Sequence, residues 1–253
     1  MNGLRIFLRP WIGDQACLSR TFLWLPLLLA WATVGCDRIP GKPTPAEIPL
    51  EPRNVTNFAA LYGQNCAGCH GIEGRGNTAL ALANPVYLAL VDDATLRRVT
   101  AQGIPGSLMP AFASSAGGFL TDAQIQILAS GIRSRWARPD AVAGAKLPPY
   151  AASGAGDARR GEAVFAKFCA RCHGADGRGT GTVGSIVDGS FLALVSDQGL
   201  RTTVIAGRPD RGHPDWRQCV PGEALSAPQV GDVVAWLIAQ RPATPGQPYP
   251  RKP

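Results

Sequence analysis

CAGCH at 66–70 and CARCH at 169–173 set two cysteines and a histidine in the same five-residue pattern twice in one chain. On a helical turn, residues three and four apart share a face. Cys66, Cys69 and His70 can therefore all meet one flat ligand, and Cys169, Cys172 and His173 can do the same. Paired cysteines also occur in zinc knuckles and in thioredoxin-type redox pairs. Neither needs a histidine directly after the second cysteine, and a zinc site wants further Cys or His ligands close by. The pattern is instead the attachment sequence of a c-type haem. Its thiols add across the haem vinyl groups as thioethers, and the histidine becomes the proximal iron ligand.

Working outward, the two motifs sit in a duplicated unit. ALYGQNCAGCHGIEGRGN (60–77) matches AVFAKFCARCHGADGRGT (163–180) at an offset of 103. YLALVDDATLRRVTAQGIPGSLMPAF (87–112) matches FLALVSDQGLRTTVIAGRPDRGHPDW (191–216) at an offset of 104, so the second copy carries one inserted residue. Each copy has three helices by the signals of its sequence. The first, over 55–69 and 157–172, leads into the motif. A middle helix starts at Asp92 or Ser196, short polar residues suited to N-caps, and exits at Gly103 or Gly207. The last opens on the capping boxes Thr121…Gln124 and Ser226…Gln229. It continues with apolar residues at helical spacing: Ile125, Leu128 and Ile132, or Val230, Val233, Val234 and Leu237. No strand pattern appears, and the fold class reads as all-α. Where first and last helices cross, Phe58 and Gly131 in one copy face Gly161 and Trp236 in the other. A volume-conserving exchange of this kind predicts that Phe58 touches Gly131 and that Gly161 touches Trp236.

Few residues can complete the iron coordination. The chain has two methionines, Met1 and Met109, and three histidines, His70, His173 and His213. Met109 and His213 occupy matching positions in matching loops, each directly before a proline that stiffens the backbone. With these residues the chain resembles a tandem of two class I cytochrome c domains, covering about residues 54–240. The resemblance implies His/Met ligation in the first domain, through His70 and Met109. The second domain departs from the pattern because it has no methionine. His213 is its best distal candidate, giving bis-His ligation with His173; a five-coordinate iron, or one bound by Lys or water, is the alternative. A thioether favours ferrous iron and a second imidazole supports the ferric state. The first haem is therefore expected at the higher potential, with electrons running from second to first if the two lie in series.

Residues 1–35 read as a signal peptide: a basic leader, then the apolar run TFLWLPLLLAWATVG (21–35), short for a membrane span. The run ends at Cys36 in a context that resembles a bacterial lipoprotein cleavage box, with Cys36 as the lipidated residue. An uncleaved N-terminal anchor and a plain cleaved signal are the other readings. All three put the chain outside the cytoplasm, and lipidation puts it on the periplasmic side of the inner membrane. Residues 36–53 form a Pro-rich tether, 54–136 the first domain, 137–156 a Pro/Ala/Gly-rich linker, 157–241 the second domain and 242–253 a Pro-rich tail.

The formal net charge is +7. Arg5, Arg9 and Arg20 against Asp14 give residues 1–35 a net +2, leaving +5 that four haem propionates would largely offset. No basic cluster with interleaved aromatics appears, so nucleic acid is excluded as a partner. Arg75 and Arg178, in matching GRG turns, are within reach of propionates or else simply exposed. Cys219 is left over: a buried small hydrophobe first, otherwise half of an intermolecular disulfide or an alternative iron ligand. No Ser/His/Asp constellation and no nucleotide-binding turn is present.

These readings converge on an electron carrier with two covalently bound haem c groups. It serves an extracytoplasmic respiratory or photosynthetic chain, as a free carrier or as a subunit of a membrane redox complex, with redox proteins as partners and no catalytic residues of its own. The rival reading is a dihaem redox enzyme, of a peroxidase or sulfur-compound oxidising type, with the second haem as its centre.

Overall fold

The computed structural model describes residues 41–243 apart from 42, 45 and 46. The leader, Cys36 and the tail from residue 244 lie outside the described residues. Ten α-helices and no strands are present among the described residues, all in the compact unit from Glu51 onward. None of them is long and apolar enough to cross a membrane.

The first repeat contributes α1 (Phe58–Asn65), α2 (Ala67–His70), α3 (Pro85–Leu90), α4 (Asp93–Gln102) and α5 (Asp122–Trp136). The second contributes α6 (Ala158–Phe168), α7 (Ala170–His173), α8 (Gly189–Leu194), α9 (Asp197–Ala206) and α10 (Ala227–Ala239). The expected ends hold on α4 and α9: Asp92 and Ser196 cap the N-termini, and Gly103 and Gly207 end the helices with φ near +68° and +69°. Both capping boxes form, and the periodic residues Ile125, Leu128, Ile132, Val230, Val233 and Leu237 are all buried.

The first helix of each repeat differs from expectation. It is not continuous through the motif but bends at the first cysteine, where φ is −119° at Cys66 and −122° at Cys169. The hydrogen-bond ladder survives the bend, with Cys66 N–H donating to Tyr62 and His70 N–H to Cys66. Two further short helices, α3 and α8, were not anticipated. Each is capped by a side chain (Asn84 or Asp188) that accepts from two backbone N–H groups.

The crossing of first and last helices follows the predicted exchange. A Cβ at Gly131 would run into the Phe58 ring, and one at Gly161 would meet the Asp232 backbone and the Trp236 Cβ at 2.8 Å. Two further roles are shared without shared sequence positions. Trp136 covers Gly74 and Trp236 covers the matching Gly177, although the counterpart of Trp236 in sequence is Gly131. Arg133 donates to the carbonyls of Leu88 and Val91 and to Asp93, while Arg241 donates to the matching Leu192, Val195 and Asp197. The geometry repeats, but the residue supplying it has moved: Trp236 lies earlier on the last helix than Trp136, and Arg241 lies just past the helix end.

One apolar cluster runs through both repeats, from Leu61, Leu88 and Leu128 to Phe168, Ile205, Trp216 and Val230. The segment 137–156 packs on it through Val142, Leu147 and Tyr150. The segment is also pinned by hydrogen bonds. Arg201 donates to the carbonyls of Pro149 and Tyr150, and Arg217 to that of Ala141.

Candidate functional site

In the first repeat, the α1–α2 bend presents Cys66 to the interior and leaves Cys69 exposed. Gly71 follows His70 with φ +79°, and a Cβ there would strike the Gly76 carbonyl. This lets the loop close tightly, Gly76 N–H donating to the His70 carbonyl at 2.8 Å. His70 Nδ1 lies 2.7 Å from the Leu80 carbonyl. A carbonyl can only accept, so Nδ1 carries the proton and Nε2 keeps its lone pair, the tautomer a metal ligand needs. Burial pushes the imidazole pKa down, against the Leu80 hydrogen bond that raises it, and Arg208 lowers it further. Burial also pushes the Cys66 thiol up to about 11, with Cys69 adding to the effect.

The second repeat copies the loop, with φ +78° at Gly174 and Gly179 N–H donating to the His173 carbonyl at 2.8 Å. The second cysteine, Cys172, is again the exposed one. Burial pushes the Cys169 thiol up to about 12, followed by the effects of Cys219 and Cys172. One contact is lost. The counterpart of the Leu80 carbonyl is that of Val183, and it accepts from Thr180 N–H instead. His173 Nδ1 is left buried without a partner.

The distal loops share a backbone hydrogen bond. Ile104 N–H donates to the Met109 carbonyl and Arg208 N–H to the His213 carbonyl, both at 3.0 Å. Gly103 and Gly207 make room beneath, since a Cβ at either would crowd the Met109–Ala111 or His213–Pro214 backbone. Met109 and His213 are thus carried by the same backbone frame, at the exits of α4 and α9. The His213 ring comes to 5.8 Å, centroid to centroid, from the His173 ring, tilted by 45°. With metal–nitrogen bonds of about 2 Å and a ring radius of about 1.1 Å, two imidazoles on opposite sides of one metal atom have centroids about 6 Å apart.

The residues fit a haem held between these histidines. In both rings it is Nδ1 that is buried without a hydrogen-bond partner; ligation through Nε2 would leave that atom unpaired, so the fit rests on the separation of the two rings. Burial lowers the pKa of both rings, and His213 lowers that of His173 further, which favours the neutral form a metal would need. Cys219 is half-buried, its Sγ 3.6 Å from the Asp215 carbonyl, and packs on the apolar cluster. Arg75 and Arg178 are 80% exposed and pair with Glu73 and Asp176 of their own turns. Sequence reading missed Leu80, whose carbonyl acts through the backbone, and Arg208, which approaches the first site from the second repeat.

Residues 53–130 and 156–237 each match the family model described as cytochrome c oxidase, cbb3-type, subunit III. The chain belongs to this family. It is a cytochrome c, and its motifs imply covalently bound haem c. Among solved structures, the cytochrome is similar to dihydro-heme d1 dehydrogenase NirN in complex with DHE, at 29% identity and a TM-score of 0.28. That match covers 38% of this chain, and the chain spans 18% of that protein. It is also similar to a chain of the Kuenenia stuttgartiensis reducing HAO-like protein complex Kustc0457/Kustc0458. There the identity is 16%, the TM-score 0.45, and the match covers 77% of this chain and all of the other. No curated protein matches the cytochrome.

Proposed function

We propose that the chain is a dihaem c-type cytochrome that relays electrons between redox proteins on the periplasmic side of the inner membrane, held there by lipid on Cys36. The observation that carries this reading is the pair of opposed imidazoles in the second repeat, on a backbone frame shared with Met109 in the first. Haem c, when bound, supplies reversible one-electron exchange at its iron. Cys66 and Cys69 would hold one group through thioethers and Cys169 and Cys172 the other, with His70 and Met109, or His173 and His213, on the two iron faces.

The residues account for relay better than for catalysis. His213 is half-buried and, as the distal ligand, would fill the place an exchangeable ligand needs, which weighs against the second site as a peroxidase-type centre. The Leu80 carbonyl orients His70, and the exposed Cys69 and Cys172 bring both attachment points to the surface, where a partner can approach. The four propionates of two haems leave the chain near electrical balance, in keeping with protein partners and not nucleic acid. Membership of a redox complex is compatible with the same surface.

The ligand sets differ, and the difference orders the sites. The Met109 thioether favours reduced iron and the His213 imidazole favours oxidised iron. Redox titration of the holoprotein, followed optically, is expected to give two one-electron waves, the higher belonging to the His/Met site. Equal potentials, or the higher wave at the bis-His site, would refute the assignment.

A further inference from the structure

The loop that carries His213 does not end at its own site. Ala206 accepts a buried hydrogen bond from Asn84 Nδ2 at 2.8 Å, bringing the α9 exit against the first repeat. Arg208 and Arg211 then both donate to the Asn77 carbonyl, at 3.0 and 2.7 Å. Asn77 follows Gly76, whose N–H holds the His70 carbonyl. The Arg208 guanidinium is itself clamped by Asp210, at 3.0 and 2.7 Å, with side chains only 16% and 12% exposed. Asp210 lies so close to Gly76 that a Cβ there would sit 2.6 Å from its Oδ2. On its other side, Arg208 exchanges two backbone hydrogen bonds with His213, both 3.0 Å.

We infer that Arg208 is a positioning residue that couples the two haem sites, its backbone fixed to His213 and its Asp210-paired guanidinium fixed to the loop of His70. The inference rests on the dihaem reading above. Charge on this pair lies against the His70 loop through Asn77 and Gly76 and against His213 through the Arg208 backbone. In the intact pair the two charges largely cancel. Removing the guanidinium leaves a carboxylate facing Gly76, which stabilises oxidised iron. Removing the carboxylate leaves a guanidinium, which stabilises reduced iron. Arg211 cannot substitute fully: it is 60% exposed and its Nε stands 4.0 Å from Asp210.

The test is an equilibrium redox titration of the full-length holoprotein, with the sites assigned by near-infrared MCD. Arg208→Leu is expected to lower the ferrous-to-ferric ratio of the His/Met site at fixed ambient potential, on the order of tenfold. Asp210→Asn is expected to raise it by a similar factor, and the double variant to return near the parent. The bis-His site should move in the same directions. Arg208→Lys should restore most of the ratio, and Arg211→Gln should change it by less than about twofold. Shifts of the same sign in both single variants would mean simple loosening of the loop and would overturn the inference, as would no shift in either. A chain that binds no haem at all would instead show no visible spectrum, and that result would strike the dihaem reading itself.

Discussion

His213 stands on the frame that carries Met109 in the first repeat, and its ring is the only imidazole the chain can spare for the second site. Replacing it with alanine is expected to convert the second haem to a high-spin form that takes up added imidazole, while the His/Met spectrum stays unchanged. Optical titration with imidazole reads this directly, and a second site that stays low-spin without added ligand would count against His213. Asp232 offers a separate check, on stability. Its carboxylate accepts from Arg160 Nε at 2.9 Å and from Asp157 N–H at 2.7 Å, and the Arg160 hydrogen bonds hold its pKa below the usual range. A carboxyl whose folded pKa is depressed contributes stability above its unfolded pKa of about 3.9 and loses it as pH falls through the folded value. Asp232→Asn should therefore lower the thermal midpoint near neutrality and flatten its fall below about pH 4. A parallel acid limb in variant and parent would show that Asp232 contributes nothing.

Helix capping and periodicity are local signals, and they carried α4 and α9 to both observed ends and α5 and α10 to their observed starts. What the sequence did not disclose is where the same job is done by a residue at another position. Trp136 and Trp236 cover matching glycines from different turns of the last helix, and Arg133 and Arg241 clamp matching carbonyls. Alignment compares positions, whereas packing requires only that an indole or a guanidinium reach the place. The Phe58–Gly131 and Gly161–Trp236 contacts were legible because the compensating change fell at aligned positions. The bend at the first cysteine was not, since no proline or glycine marks it. Gly161 lets α6 and α10 approach backbone to backbone, so Gly161→Leu must force them apart. The expected cost is about 1–3 kcal/mol, measurable by denaturant unfolding, whereas Phe58→Leu should relax a ring on Gly131 at lower cost. Equal tolerance of both changes would contradict the packing described.

The repeats share one apolar cluster, and the intervening segment is held by Arg201 and Arg217. The duplication, the six motif residues and both distal candidates were readable from sequence. The Arg208–Asp210 junction was not, because contacts between repeats leave no periodic trace in either one. The central claim is that two different ligand sets, His70/Met109 and His173/His213, are presented by one repeated frame. Low-temperature EPR combined with near-infrared MCD on the oxidised holoprotein resolves the ligands of each iron. One His/Met and one bis-His low-spin signal is the predicted result. A high-spin or thiolate-like second haem would contradict it, and would move a catalytic second site ahead of a relay.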